Sequence, residues 1–569
     1  MKIKLDGKTI ECKEGKTILD ICEDNGIEIP KLCYIEGLKP EARCRLCLVE
    51  MNGELVTSCS TYPINGCEII TNSEKINKAR MINAELLMAG HIHCSINNGT
   101  HELFNLIKEL GMTRIRFEPI RQYEEDLSES VIRDNNKCIN CGKCIRTCGE
   151  IMAVYAIDFA KRGFKEHVSP YYNHALHDVA CIKCGQCIAA CPVGAIYERE
   201  HLYEVIKALK DKKKHVVVQT APSVRAALGE EFGMPAGSLV TGKMVAALKK
   251  CGFNKVFDTD LGADMTIMEE ATEFLSRVKK NGPFPMITTC CPAWIKFMEH
   301  FEHSLFPNMS SCKSPHEMLG ILIKTYYAKK AGINKKDIVV VSVMPCTAKK
   351  FESTRPELGS GVDYVLTTRE AAKLIRNFKI DAQKSEISGT TESGFKNLKD
   401  EDFDDPLGES TGAGVMFGAT GGVMEAALRT AYELGTGKSL KNVEFNEIRG
   451  TEGIKRGKVN IKGKEIKYAV AHGGANIRKL LEEKEKYHFI EMMACPGGCI
   501  GGGGQPWPTT KEIIEKRISA IYKQDRKLKI RKSHENPTVQ RIYKEMLVKP
   551  NSKKAHKLLH THYIKRSEF

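Results

Sequence analysis

At 569 residues the chain exceeds what one hydrophobic core supports, and at about 150 residues per domain it divides into three to five units. Apolar residues make up 42% and charged residues 28%, and no uninterrupted apolar stretch approaches the roughly 18 to 20 residues of a membrane helix, which excludes a membrane span and wholesale disorder. The formal charge of +15 gathers at the end of the chain, where residues 511–569 hold 17 Lys and Arg against 6 Asp and Glu. That segment reads as a solvated basic helical tail; with no interleaved aromatics, nucleic acid is its least favoured partner. The opening Met1-Lys2-Ile3-Lys4-Leu5-Asp6 lacks the apolar run of a secretory signal, which places the chain in the cytoplasm. In a reducing compartment its 23 cysteines read as metal ligands and not as disulfides.

In chain order, Ile3 and Leu5 alternate with polar residues, Asp6-Gly7 makes a turn, and Ile10 and Cys12 resume the alternation, a hairpin signal. Thr17 caps a short helix over Ile18 to Asn25 that Gly26 ends, and a second hairpin runs from Cys44 through Asn52-Gly53 to Cys59. Residues 76–125 are helical in pattern, with Leu86, Leu87, Leu103, Leu106, Ile107 and Leu110 as apolar stripes. Two cysteine-dense segments follow. About 300 residues then alternate strand-like runs, such as His215 to Gln219 and Ile338 to Val343, with helical patterns, which defines an α/β unit. The polar stretch from Asp381 to Thr411 reads as a surface loop within it. The glycine run from Gly412 to Gly422 lacks G-x-G-x-x-G spacing and is a weak nucleotide loop.

Four cysteine groups carry the chemistry. Cys138, Cys141, Cys144 and Cys148 follow C-x2-C-x2-C-x3-C, and Cys181, Cys184, Cys187 and Cys191 repeat it. Three thiolates on one loop wrap a cubane corner while the fourth crosses to the other cluster, so one [4Fe-4S] cluster takes Cys138, Cys141, Cys144 and Cys191 and the second takes Cys181, Cys184, Cys187 and Cys148. Zinc prefers paired C-x2-C knuckles. Gly149 stands where a proline usually follows the fourth cysteine. Near the N-terminus, Cys33, Cys44, Cys47 and Cys59 place a C-x2-C core on a hairpin, which suits a [2Fe-2S] cluster with a first gap longer than the plant type. The stretch from His91 to His101 retains only Cys94 of a His-x3-Cys-x2-Cys-x5-Cys pattern, with Asn97 at the second cysteine position, so no cluster is expected there.

The fourth group is dispersed. Thr288-Thr289-Cys290-Cys291-Pro292-Ala293-Trp294, Met344-Pro345-Cys346-Thr347-Ala348-Lys349-Lys350-Phe351-Glu352 and Glu491-Met492-Met493-Ala494-Cys495-Pro496-Gly497-Gly498-Cys499 each set cysteines at the end of an apolar run, where α/β folds place their sites. Neighbouring side chains on extended backbone point opposite ways, so Cys290 and Cys291 are not expected to share a cluster. On these three motifs the chain closely resembles the [FeFe]-hydrogenases of the monomeric multi-cluster clostridial type.

The resemblance spans essentially the whole chain and implies a multidomain α+β and α/β architecture. A ferredoxin-like β-grasp [2Fe-2S] domain (1–76) precedes a helical domain with lost cluster ligands (77–125) and a bacterial-type 2[4Fe-4S] ferredoxin domain (126–205). An α/β H-cluster domain (206–508) and a helical small-subunit-like segment (509–569) follow. It implies that Cys291, Cys346, Cys495 and Cys499 hold a [4Fe-4S] cube linked through Cys499 to a diiron unit bearing CO, cyanide and a dithiolate, the whole being the H-cluster. Cys290 would exchange protons with that unit, behind it a relay of Glu270, Ser310, Glu273 and Arg277. Lys349 and Ala221-Pro222-Ser223 would contact cyanides, and Met344, Met493 and Phe417 would form the apolar wall. His316, after Ser314-Pro315, stands where relatives often carry Gln. Independently of resemblance, residues 270, 273 and 277 fall at helical spacings of three and four and share a face.

The implied reaction is 2H⁺ + 2e⁻ ⇌ H2, with ferredoxin or flavodoxin as redox partner, maturation proteins supplying the diatomic ligands, and no membrane or nucleic-acid partner. A non-catalytic electron-transfer subunit would lack the three dispersed motifs. An assembly or sensing relative would lose Cys290, Lys349 or the relay, and this chain keeps them all; an H2 sensor that retains its active site is the remaining alternative.

Overall fold

The computed structural model describes residues 1–91, 102–112, 116–117, 123–380 and 394–568. The first unit is a five-stranded sheet in the order Lys8–Glu11, Lys2–Leu5, Glu68–Ile70, Leu48–Met51, Glu54–Thr57. Ile3 and Leu5 turn inward together with Ile18, Leu19 and Ile21 of the helix Ile18–Asp24. Asp6 and Gly7 both adopt positive φ, the two-residue turn whose twist matches its strands. Thr17 caps the helix reciprocally with Asp20. The second hairpin is shorter than its expected span: Leu48–Met51 and Glu54–Thr57 pair across Asn52-Gly53, leaving Cys44 and Cys47 in the irregular segment before them.

The helix Glu74–Ala89 buries Ile76, Arg80 and Ala84, spaced four apart. Leu86 therefore lies on the far side and is 52% exposed, contrary to its expected place in the apolar stripe. Leu103, Leu106 and Ile107 of Glu102–Glu109 do face inward. The segment around Cys94 and Asn97 lies outside the described residues. Next, Val131–Arg133 pairs with Ile196–Glu198 and Asp158–Ala160 with His167–Ser169. Each of the two short helices here, Lys143–Arg146 and Gln186–Ala190, starts from a left-handed glycine, Gly142 and Gly185.

Two four-stranded sheets build the large unit. One runs Lys255–Asp258, His215–Thr220, Ile338–Met344, Tyr364–Thr367, all parallel. The other runs Met286–Thr288, Phe489–Met493, Lys464–His472, Ile454–Ile461, with only the last strand antiparallel. The 22-residue helix Thr259–Lys280 packs against Pro315–Leu322 and Gly422–Thr436. Four parallel strands from the two sheets end just before Ala221, Cys290, Cys346 and Cys495, which sets these residues at carboxyl ends, the usual ligand-bearing edge of such sheets.

Of two surface expectations, the solvated tail fails through burial by distant partners, while the polar stretch is an irregular, largely exposed loop over its described residues but has a buried anchor. The C-terminal segment is packed and not simply solvated: in Lys511–Lys527, Arg517 is fully buried on Glu230 (2.6 Å) and Asp525 on Arg429 (2.9 Å). In the polar stretch, Phe395 is fully buried and stacks on Phe232 with ring centroids 4.1 Å apart, so residues 394–411 are anchored; residues 381–393 lie outside the described residues. Among the described residues, no helix is long and apolar enough to cross a membrane.

Candidate active site

The strand ends converge on a cavity lined by Cys290, Cys291, Cys346, Cys495 and Cys499, which come from three segments. Ala221, Pro222, Ser223, Met344, Lys349, Phe417, Met493 and His316 complete much of the wall. Cys290 and Cys291 both line it yet meet different neighbours. The Cys499 sulfur and burial push the Cys290 thiol well above its ordinary range, whereas Cys291 acts electrostatically on Cys346 and Cys495. Cys291 precedes the helix Pro292–Phe301, and the Thr289 hydroxyl accepts its backbone N–H at 3.0 Å.

Lys349 is buried, and its Nζ donates to Glu352 Oε2 at 2.7 Å and to the Cys290 carbonyl at 3.1 Å. Burial lowers this ammonium, but Glu352 and Cys290 outweigh it and hold it above its ordinary value. Glu352 in turn is held down to about 2, burial being overcome by Lys349 and His316. Ser223 Oγ is buried on this wall with no hydrogen-bond partner among the described residues. Thiols grouped at one end, a buried ammonium, an unpartnered hydroxyl and thioether and aromatic walls fit a cube bearing a small group with polar ligands. An apolar pocket alone would not need the thiols, the hydroxyl or the charge.

The relay residues lie on and beside the helix Thr259–Lys280. Glu270 is 1% exposed, and the Thr288 hydroxyl donates to its Oε2 at 2.6 Å. Burial pushes Glu270 up to about 7, with the Thr288 and Ser310 hydroxyls pulling against it. Glu273 pairs with Arg277 at 2.6 Å, and Arg277 also donates to the carbonyls of Asn308 and Met309. Ser310 is fixed by its N–H to Ile287 O and by the Tyr563 hydroxyl, which donates to its carbonyl. Thr288, Glu352 and Tyr563 are contributors that the sequence motifs alone do not single out. Thr288 heads the Cys290 motif and Glu352 ends the Cys346 motif, so a local signal exists for both; Tyr563 closes the Lys549-to-Tyr563 segment that the resemblance covers, with no motif of its own.

Twelve further cysteines form three sets of four, and Cys12, Cys22, Cys67, Cys251 and Cys312 belong to none of them. Cys138, Cys141, Cys144 and Cys191 line one cavity; Cys148, Cys181, Cys184 and Cys187 line another. The four N-terminal sulfurs lie near enough to perturb one another, with Cys47 lowered to about 6 chiefly by Cys59 and Cys44 to about 7 chiefly by Cys33. The second ferredoxin-like cavity abuts the main one. Gln186 donates to the Gly501 carbonyl at 2.8 Å, Cys184 feels the charge of Cys495, and a Cβ at Gly503 would stand 2.4 Å from the Cys184 carbonyl oxygen. Only glycine permits that approach.

Ferredoxin-like cysteine sets leading into a thiol-lined cavity, itself backed by a buried carboxyl near neutrality, define an iron–sulfur redox enzyme that handles protons. The 2Fe-2S iron-sulfur cluster binding domain matches residues 1–74 and the 4Fe-4S dicluster domain 137–201. The C-terminal domain of the iron-only hydrogenase large subunit matches 214–503, and the iron hydrogenase small subunit matches 511–566. The chain is 46% identical to the NADP-reducing hydrogenase subunit HndD of Solidesulfovibrio fructosivorans, over 100% of this chain and 99% of that one. It is 40% identical to iron hydrogenase 1 of Clostridium pasteurianum, over 99% and 100%. The solved apo [FeFe]-hydrogenase HydA1 from Chlamydomonas reinhardtii shares 39% identity and a TM-score of 0.57, covering 65% of this chain and all of that one. The chain belongs to the [FeFe]-hydrogenase family. It is a hydrogenase, an oxidoreductase of H2 and protons, with [2Fe-2S] and [4Fe-4S] domains and an H-cluster domain.

Proposed function

We propose that Cys291, Cys346, Cys495 and Cys499 hold the cube of the H-cluster and that the rest of the cavity receives its diiron unit, which supplies the open iron coordination at which H2 is made or split. The observation that carries this is the convergence of five cysteines from three distant segments on one cavity that also holds a buried lysine. Ser223 and Lys349 orient the polar ligands, while Met344, Met493, Phe417, Ala221 and Pro222 exclude water. Cys290 holds a proton at Sγ facing the cavity. Glu270, near neutrality, accepts and returns protons, Ser310 and Glu273 carry them outward, and Arg277 fixes Glu273 at the end of the helix. One [2Fe-2S] cluster on Cys33, Cys44, Cys47 and Cys59, and two [4Fe-4S] clusters on the crossed cysteine sets, complete the cofactor complement. The five segments 1–76, 77–125, 126–205, 206–508 and 509–569 are the corresponding domains.

An acidic ferredoxin or flavodoxin is the proposed electron partner, and dedicated maturation proteins supply the diatomic ligands. A reducing cytoplasm suits the cysteines, none of which forms a disulfide among the described residues. The likeness along the full length to a subunit of an NADP-reducing hydrogenase favours a second reading over a monomer, in which this chain works within a nicotinamide-linked assembly. The mass of the native particle purified from its source separates the two. Infrared spectroscopy of the matured protein tests the main reading: CO and cyanide bands are expected together with H2 evolution, and a fully iron-loaded protein without those bands refutes it.

A further inference from the structure

A buried histidine in the cavity wall has a role that the relay and the cyanide contacts do not use. His316 is 1% exposed, and its Nδ1 lies 3.0 Å from Glu352 Oε2 and 3.2 Å from Glu317 Oε1. Its Nε2 is buried and has no hydrogen-bond partner among the described residues, although the residue lines the cavity. Glu317 is fully buried, and neither of its carboxylate oxygens has a hydrogen bond. The charges facing the ring are thus Glu317 from its own helix and Glu352 and Lys349 from the helix Ala348–Glu352. Lys349 pairs with Glu352 and the buried Lys313 acts on Glu317 from farther off, so a protonated ring is the positive charge in direct reach of both carboxylates and lowers the cost of burying them. Nδ1–H is committed to Glu352 at 3.0 Å, so the second N–H is left without a protein acceptor among the described residues, itself a costly state for a buried donor.

We propose that His316 is a cofactor-binding residue whose charged Nε2–H donates a hydrogen bond to a terminal diatomic ligand of the group held in the cavity, with Glu317 and Glu352 keeping both ring nitrogens protonated. The ionisation of the ring agrees with this: burial lowers it, and the two carboxylates raise it further than burial lowers it. Lys349 and Glu352 fix the ring from one side, and the Gln219 amide donates to the His316 carbonyl at 3.0 Å and fixes the backbone from the other. The inference rests on the reading that this cavity holds the diiron unit.

The test uses the full-length, matured protein and reads infrared band positions and the reduction potential of the cavity group by spectroelectrochemistry. His316→Gln keeps a donor without charge, His316→Leu removes both, and Glu317→Gln removes a charge that holds the imidazolium. Expected are a displaced CO or cyanide band, larger in His316→Leu than in His316→Gln, and a lower reduction potential in the two His316 variants, since a lost positive charge favours the oxidised group. Glu317→Gln is expected to move the same band in the same direction as His316→Gln. Should His316→Leu fail to fold, the two glutamine variants carry the test. Wild-type bands and potential in folded, iron-loaded variants would overturn the role of His316 alone, whereas a wild-type protein with no CO or cyanide bands would overturn the cavity reading beneath it.

Discussion

The buried carboxyl of Glu270 allows a quantitative prediction. An ordinary glutamate near 4.5 would be protonated about 0.3% of the time at pH 7, whereas burial brings Glu270 to about 7 and to half occupancy. That rise corresponds to about 3 kcal/mol between the two charge states. Because the folded value is raised, the stability linked to this group is fully present below about pH 4.5 and is lost as pH rises through 7. Glu270→Gln abolishes both the titration and the proton exchange, so turnover should fall by about 10²- to 10⁴-fold with the CO and cyanide bands intact. Thr288→Val removes the hydroxyl that donates to the ionised form at 2.6 Å and is worth about 1.5 to 3 kcal/mol to a charged acceptor, so it should raise the carboxyl by about one unit or more. The assay is H2 evolution from a reduced mediator across pH: the limb falling with loss of the Glu270 proton should move to higher pH in Thr288→Val. Full turnover in Glu270→Gln, or an unmoved limb in Thr288→Val, would refute the reasoning.

Replacing Cys290 with Ala should leave the infrared bands and iron content intact while turnover nearly vanishes; an undiminished rate would remove Cys290 from the proton path. Arg277→Leu should slow turnover without loss of iron, because it frees Glu273 from its 2.6 Å pair, and an unchanged rate would place the relay's end elsewhere. Cys191→Ser should damage the cluster of Cys138, Cys141 and Cys144, as seen by electron paramagnetic resonance, and spare that of Cys148, Cys181, Cys184 and Cys187; damage confined to the latter would undo the crossed assignment. Turnover with an acidic ferredoxin should weaken as salt rises from low to physiological strength, whereas turnover with a neutral mediator should not; equal salt responses would argue against electrostatic docking.

What is legible in the sequence is whatever depends on short spacing or on the carboxyl ends of strands. The C-x2-C-x2-C-x3-C runs, the Asp6-Gly7 and Asn52-Gly53 turns and the helical spacing of Glu270, Glu273 and Arg277 are local geometry, and the fold displays each. What escapes depends on contacts across long stretches of chain. Arg517 meets Glu230 across 287 residues and Tyr563 meets Ser310 across 253, so the basic tail reads as solvated until its partners are seen. Leu86 is misplaced because a burial stripe set by Ile76, Arg80 and Ala84 leaves a position two residues past Ala84 on the opposite side. His316 is marked out by its place after Ser314-Pro315, but its cluster with Glu317 and Glu352 is illegible for a different reason: glutamates on two separate short helices look like ordinary exposed polar residues until the structure shows that nothing exposes them.

The arrangement also accounts for why this catalytic cavity needs rigid backbone on one side and titratable side chains on another. The turn that carries Cys499 touches the ferredoxin-like unit through Gln186 and the glycine contact at Gly503, where even a methyl group could not intervene. Electron transfer tolerates no widening of that contact and asks for no protonation change in the groups that make it. Proton movement asks the reverse: groups whose charge changes easily, separated from bulk water so that their values can be tuned. Glu270 meets that demand by burial opposed by two hydroxyls, and its helix Thr259–Lys280 is distinct from the turn that holds the sulfur ligands. Placing the two functions on separate elements lets a substitution on that helix, such as Glu270→Gln, change the proton path without altering the segments that carry the ligand thiols.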